Sequence, residues 1–244
     1  MACALLLFAG FLALGSWQVQ RRAWKLDLIE RVDQRVHAPA AAAPGPAQWP
    51  QVSAANDEYR HVQLTGRFLD DRETLVQAVT ELGSGFWVLT PLQQADGTVV
   101  LVNRGFVPPE ARDPANRGTP VLDGSTASTR AVTVAGLLRI SEPGGGFLRK
   151  NDPAAERWYS RDVQAIAAAR GLAADRVAPF FVDAEAAPRA AAGRTTWPAG
   201  GLTVIAFPNS HLVYALTWYA LAAMVAAAAW YVWRADRREV GRGH

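Results

Sequence analysis

A long uncharged segment near the end of the chain constrains the fold more than any other feature. The 22 consecutive residues from Leu212 to Trp233 carry no charge. As a helix they would span roughly 33 Å, enough to cross a hydrocarbon core of about 30 Å. A Pro-Asn-Ser sequence at 208–210 can stop the preceding chain and cap this helix. The sequence therefore predicts a transmembrane helix over 211–233, with His211 in its first turn.

A second uncharged segment, Ala2 to Gln20, is also long enough to span a membrane. A cleaved signal peptide is the competing interpretation, but basic residues before the segment and a small-x-small cleavage site before Trp17 are both missing. The missing basic residues also leave open a start further upstream. Trp24, Leu28 and Val32 continue in helical spacing, so we expect the helix to extend beyond residue 20.

The charge distribution favours a membrane surface over a nucleic acid as the partner. Between Leu26 and Ser210 there are 18 basic and 20 acidic residues, so the middle of the chain is close to neutral. The basic excess flanks the two apolar segments, which is typical of anchoring at lipid head groups. The single cysteine, Cys3, excludes an intramolecular disulfide and a CxxCH haem attachment.

The middle of the chain is predicted to be mainly strands. An Ala/Pro-rich linker over 38–51 precedes them, Asp96-Gly97 indicates a hairpin, and long loops are expected over 108–130 and 142–156. One helix is expected after Ser160, which can cap it, with Asp162 favouring its N-terminus. The strands are predicted near residues 62–69, 74–79, 86–89 (ending at Thr90-Pro91), 99–102, 131–140, 178–183 and 202–207.

These elements predict a membrane protein of the α+β class. Two transmembrane helices bracket a mainly antiparallel β domain outside the membrane, with one or two short helices. The expected division is transmembrane helix 1–20, helical extension and linker 21–51, β domain 52–210, transmembrane helix 211–233 and basic tail 234–244. The arginines of the tail favour a cytoplasmic tail and an extracytoplasmic domain, although Arg21, Arg22 and Lys25 oppose this orientation.

Motifs typical of common enzymes are missing from the sequence. It contains no GxSxG elbow, no Walker loop and no HExxH pair, and its four histidines are scattered. His211 differs from the others because of its position. The positive end of the helix dipole disfavours imidazolium, so a neutral ring is expected, as an axial haem ligand requires.

Several residues near His211 fit the same interpretation. Trp218 lies two turns further along the same face, with Ala215 and Ala222 as small neighbours, and this face could accept a flat macrocycle or the first helix. On the first helix, Ala9 and Ala13 are the expected small residues. The same membrane surface at which His211 lies must also hold three basic residues, Arg21, Arg22 and Lys25. Their cationic groups could pair with haem propionates. Alternatively, His211 hydrogen-bonds locally and the basic residues extend to lipid phosphates.

Four sequence blocks resemble the Surfeit locus protein 1 family of cytochrome c oxidase assembly factors. They occur in the family's order across nearly the whole chain, with Phe106 where the family pattern has Trp. The blocks are Gly15-Ser-Trp-Gln with Arg21 and Lys25, Asp96-Gly with Val100-Leu-Val-Asn-Arg-Gly-Phe-Val-Pro, Asn151-Asp-Pro with Trp158-Tyr-Ser-Arg-Asp, and Pro208-Asn-Ser-His-Leu-Val-Tyr-Ala-Leu-Thr-Trp-Tyr.

The resemblance implies a non-enzymatic assembly factor of a bacterial or mitochondrial inner membrane. The expected role is to bind haem a, or to aid its insertion into the oxidase catalytic subunit, with His211 matching the proposed haem ligand. A haem a synthesis enzyme is a further expected partner, and the missing transit segment favours a bacterium. The alternative is a structural scaffold that does not bind haem.

The motif residues also have a structural interpretation. Gly105 is expected to permit a bulge or turn, and Arg104 to pair with Asp162 or Glu110. Trp158 and Tyr159 are expected in the core.

Overall fold

The computed structural model describes residues 2–117, 131–186, 197–205 and 209–240. The chain divides into two compact units. One comprises residues 1–33 and 205–244, and the other comprises residues 34–204. We call the first the helix pair and the second the β domain.

The helix pair consists of α1 (Ala2–His37) and α4 (His211–Val240). Both contain a stretch long and apolar enough to cross a membrane, within Ala2–His37 and His211–Ala235. The predicted extension of the first helix is confirmed as far as His37. The second helix begins at His211, as predicted, while Pro208 lies outside the described residues.

The described part of the β domain contains seven strands in the order β1-β2-β6-β7-β5-β4-β3. A further antiparallel pairing of β2 with β4 closes five of them into a barrel, leaving β1 and β3 outside the ring. The described pairings are antiparallel except for β1 with β2 and β5 with β7, so the predicted α+β class with a mainly antiparallel domain is confirmed. The strands are β1 (Ala41–Ala42), β2 (His61–Phe68), β3 (Thr74–Thr80), β4 (Gly83–Gln93), β5 (Val99–Val107), β6 (Val132–Ile140) and β7 (Val177–Ala184).

Several local predictions were wrong. The strand expected to end at Thr90-Pro91 continues to Gln93, because the carbonyl of Pro91 accepts a hydrogen bond from the N–H of Leu69 (2.9 Å) although proline has no N–H to donate. The predicted linker contributes β1 and a 3₁₀ helix, Pro46–Gln51. Residues 202–205 are not a strand, and 206–207 lie outside the described residues.

Two short α-helices accompany the barrel, α2 (Ala54–Asp57) and α3 (Val163–Ala169). The side chain of Asp162 caps α3 by accepting from the N–H of Ala165 (3.1 Å), so the prediction of Ser160 as the cap was wrong. Ser160 is buried and instead accepts from the side chain of Asn151 (3.0 Å). Short 3₁₀ turns lie at Asp70–Arg72, Pro109–Ala111, Pro114–Asn116, Pro153–Ala155 and Ala174–Arg176.

Alternating residues of the strands form the two larger of the three hydrophobic clusters found among the described residues. One fills the barrel, and the other lies between the outer face of the sheet and α3. The buried Trp158 belongs to the outer cluster, which confirms its prediction as a core residue, whereas Tyr159 is only half-buried. The barrel cluster comprises Val62, Leu64, Leu92, Val100, Val102, Leu138, Ala178, Phe180 and Val182.

Candidate functional site

His211 is held by a hydrogen bond between the two long helices. Its Nδ1 lies 2.8 Å from Oε1 of Gln18 on α1, and this oxygen accepts the hydrogen bond. Nδ1 is therefore the donor, and no hydrogen bond from the described residues reaches Nε2, the other ring nitrogen able to bind a metal. A hydrogen bond of this kind fixes both the tautomer and the orientation of a metal-binding imidazole. Sequence reasoning missed Gln18, although it lies within the motif at the end of the first segment.

The face of α4 that carries His211 packs against α1. The rings of Trp218 and Phe11 stack with centroids 5.7 Å apart, and Ala215 and Ala222 are buried. Of the two occupants considered for this face, the structure places the first helix there. The predicted contact residues on that helix, Ala9 and Ala13, are exposed, so that prediction was wrong.

Gly15 allows a close approach between the two helices. A Cβ atom at this position would lie 2.7 Å from Cε1 of Tyr219. The hydroxyl of Tyr219 also lies 3.3 Å from Oγ of Ser16. With Phe11 and Gln18, Gly15 completes an i, i+4, i+7 face on α1, which is the spacing of a helix packing surface. The polar contact with His211 therefore depends on a close apolar contact beside it.

The three basic residues predicted near His211 follow Gln18 on α1. Arg21, Arg22 and Lys25 lie three, four and seven residues beyond it, all within about 60° of its direction around the helix axis. Lys25 is about 10 Å further along the axis. The guanidinium of Arg21 lies over the ring of Trp24, 4.9 Å from its centroid. These cations can meet an anionic group that lies beyond His211 along α1.

The β domain contains a second polar cluster, centred on the buried carboxylate of Asp183. Oδ1 accepts from Nδ2 of Asn103 (2.8 Å) and from Arg161 (3.2 Å), and Oδ2 accepts from Arg139 (3.1 Å) and Thr203 (3.0 Å). The charge is thus paired and fully hydrogen-bonded, as a buried carboxylate requires. Sequence reasoning missed this cluster. The one sign in the sequence is that Asn103 and Asp183 each follow a very apolar run, and the parallel pairing of their strands is seen only in the structure.

The two arginines connect this cluster to acidic residues at the surface. Burial by itself would raise the pKa of Glu142, but the hydrogen bonds and charge of Arg161 outweigh it and hold that pKa below its ordinary value. Burial would also lower the pKa of Arg161, and the same partnership with Glu142 raises it instead. Arg139 lies over the ring of Tyr59. The arrangement is that of a structural ion network.

The Asn-Arg-Gly sequence in β5 forms a β-bulge. The register of β4 against β5 shifts between the residue pairs Trp87–Phe106 and Leu89–Asn103. This shift confirms the irregularity predicted at Gly105. Gly105 has φ +127°, and a Cβ there would lie 2.2 Å from the carbonyl oxygen of Ala199.

The predicted partners of Arg104 were wrong. Arg104 forms its ion pair with Asp70 (2.9 Å) and not with Asp162 or Glu110. Its guanidinium also lies over the ring of Phe68, 4.6 Å from the ring centroid. The adjacent bulge changes the direction of the strand, which periodicity in the sequence cannot indicate.

Fold and site together define a class of protein: a small β-barrel domain carried between two helices of membrane-spanning length, with a histidine oriented at the start of the second. Comparison with known proteins identifies the class. The SURF1 family model matches residues 5–223, and the chain belongs to this family.

Relatives from animals and a choanoflagellate match nearly the whole chain. It is 36% identical to Surfeit locus protein 1 of Mus musculus, over 94% of this chain and 72% of that protein. The human Surfeit locus protein 1 is 34% identical, over 90% and 71%. A SURF1-like protein of Monosiga brevicollis is 35% identical, over 93% and 84%. The resemblance seen in the sequence blocks is therefore confirmed at the level of the family.

Proposed function

We propose that this chain is a membrane-anchored assembly factor for cytochrome c oxidase that binds haem a as transient cargo. It would aid the insertion of haem a into the catalytic subunit, receive it from a haem a synthesis enzyme, and catalyse no reaction itself. The observation that carries the proposal is the 2.8 Å hydrogen bond between His211 and Gln18, because it leaves Nε2 of the ring as a metal ligand.

The residues around His211 suit a haem as cargo. Nε2 of His211 would hold the iron, and Arg21, Arg22 and Lys25 would pair with the two propionates. Trp218 is half-buried, so the part of its ring that Phe11 leaves uncovered remains for contact with the macrocycle. Aromatic and cationic groups beside a neutral imidazole are the features expected of such a site.

The proposed location is a bacterial plasma membrane, with the β domain in the periplasm and the tail in the cytoplasm. The tail supports this orientation, because it carries Arg234, Arg237, Arg238 and Arg242 immediately after the uncharged segment of the second helix. The periplasmic side would then present His211 and the three basic residues of α1 at the outer surface.

A structural scaffold is the second candidate function. The stacking of Trp218 on Phe11 favours it, because the helix face considered for a macrocycle or for the first helix packs against the first helix. A scaffold would hold the oxidase subunit while other proteins insert the haem. In that case His211 and Gln18 would serve only to lock the helix pair.

An optical spectrum of the purified full-length protein, expressed together with haem a synthesis enzymes, separates the two functions. The proposal expects a haem a band in the wild type that is lost in His211→Ala and kept in His37→Ala, the matched histidine control at the end of α1. A folded, colourless wild type from cells that make haem a would contradict cargo binding. Oxidase assembly unchanged in His211→Ala would then support the scaffold.

A further inference from the structure

A β-turn in the β domain exposes two large apolar side chains, and nothing in the proposed haem function uses them. Phe147 and Leu148 occupy its corners and are 92% and 89% exposed. The turn is closed by a hydrogen bond from the N–H of Arg149 to the carbonyl of Gly146 (3.1 Å). We call Phe147 and Leu148 the apolar tip.

The backbone conformation of the apolar tip makes a large apolar residue unexpected at Leu148. Leu148 has φ +58°, in the left-handed region where glycine or asparagine is usual and a large side chain is disfavoured. A polar or small residue would suit both this conformation and exposure to water better. The fold of the described residues therefore does not explain the leucine. An exposed leucine in this conformation indicates contact with an apolar surface outside the domain.

The base of the turn is firmly attached to the domain. The N–H of Gly145 donates to Oγ of the buried Ser160 (3.0 Å), and the N–H of Tyr159 donates to Oδ1 of Asn151 (2.8 Å). The guanidinium of Arg149 lies over the ring of Tyr159, 5.4 Å from its centroid. The tip thus projects from a held base, so its exposure is built into the fold.

Neighbouring residues extend the apolar surface and add positive charge. Val79, which is 83% exposed, and Phe147 both line one open groove of about 470 Å³. Leu82 is half exposed at the end of the same hairpin as Val79, next to the acidic Glu81. Arg149 and Lys150 follow the tip directly in sequence and both are exposed. A protruding apolar pair with adjacent cations is typical of peripheral insertion into a lipid interface.

We propose that the apolar tip inserts into the head-group region of an anionic phospholipid bilayer. Phe147 and Leu148 would reach the acyl boundary, while Arg149 and Lys150 would contact phosphate groups. The two membrane-spanning helices keep the β domain tethered to a bilayer. The tether gives the lipid surface a high effective concentration near the apolar tip. Insertion would give the domain a third attachment, fixing its orientation on the membrane, and it does not depend on haem binding.

Site-directed spin labelling of the full-length protein tests the proposal. In a Cys3→Ser background, Phe147→Cys carries a nitroxide label, and Ala174→Cys, exposed in the 3₁₀ turn before β7, is the matched control. Both are reconstituted in vesicles of phosphatidylethanolamine and phosphatidylglycerol. The label at 147 is expected to collide readily with oxygen and poorly with a water-soluble nickel chelate, with the opposite preference at 174.

A label at 147 that is as accessible to the nickel chelate as the label at 174 would overturn the proposal. The same holds if the label becomes shielded only when another protein is added, since a polypeptide would then be the occupant. A circular dichroism spectrum matching that of the unlabelled protein shows that the labelled variants are folded. Phe147 is fully exposed and makes no hydrogen bond through its side chain, so its replacement is not expected to disturb folding.

Discussion

The helix pair and the β domain use polar groups in opposite ways. In the β domain, Asp183 is buried and accepts from four side chains, two on strands and two on loops, so its polar atoms are fully used by the fold. In the helix pair, Nδ1 of His211 binds Gln18, and none of the described residues hydrogen-bonds to its Nε2. The network around Asp183 is thus structural, whereas the pair His211–Gln18 is the contact on which the proposed haem site depends.

Removing the centre of the network should have the largest effect on stability. In Asp183→Ala, Arg139 and Arg161 lose a buried counterion, which we expect to cost about 3–5 kcal/mol of unfolding free energy. Chemical unfolding of the β domain, followed by the near-ultraviolet signal of its aromatic residues, measures the loss. Asp175→Ala, at an exposed position, is the control and should remain within about 0.5 kcal/mol of the wild type. A similar effect of both substitutions would show that the network is not structural.

Separating the two helices should have the next largest effect. Gly15→Leu places a side chain where the ring of Tyr219 lies, and overpacking of this kind costs about 1–3 kcal/mol. The detergent fraction at which the helix pair unfolds should fall. Gly10→Leu is the matched control, because a Cβ at residue 10 meets nothing within 4 Å. Adding Tyr219→Ala should restore stability to Gly15→Leu, and no restoration would contradict the proposed packing.

Acid should weaken the β domain through a smaller effect at its surface. The pKa of Glu142 lies below its ordinary value of 4.5 in the folded state, despite burial, because Arg161 holds the carboxylate. Its stabilising contribution is therefore complete above the ordinary value and is lost as pH falls through the lowered folded value. Because the pair is partly exposed, we expect about 1 kcal/mol or less. Unfolding measured across this range should be less pH-dependent in Glu142→Gln, and an unchanged dependence would exclude this carboxylate as the cause.

The sequence predicted which elements exist better than it predicted which faces meet. Long uncharged segments determine membrane-spanning helices by length and composition alone, and alternation determined most strands. The predicted contact face of α1 was wrong. An apolar helix shows little difference between its sides, and Ala9 and Ala13 were chosen only because their side chains are small. The structure uses Phe11, Gly15 and Gln18 instead.

Partners of charged residues were the least predictable part of the site. Arg104 was assigned to Asp162 or Glu110 but pairs with Asp70, since the bulge at Gly105 redirects the strand. Asp183 was overlooked because a single carboxylate after an apolar strand has no local motif. Its partners Asn103 and Arg161 are distant from it in sequence. The parallel pairing of β5 with β7 brings Asn103 to Asp183, and the loop before α3 brings Arg161.

Gln18 offers the most direct test of the claim that the helix pair prepares His211 for a ligand. Gln18→Leu keeps the size of the side chain but removes the acceptor, and Gln18→Glu restores one. Loss of a hydrogen bond to a metal-binding histidine typically lowers affinity about 10-fold or more. In full-length protein titrated with haem a, we predict this loss and a shifted Soret band in Gln18→Leu, with both restored in Gln18→Glu. Equal affinity and identical spectra in the wild type and Gln18→Leu would contradict the claim.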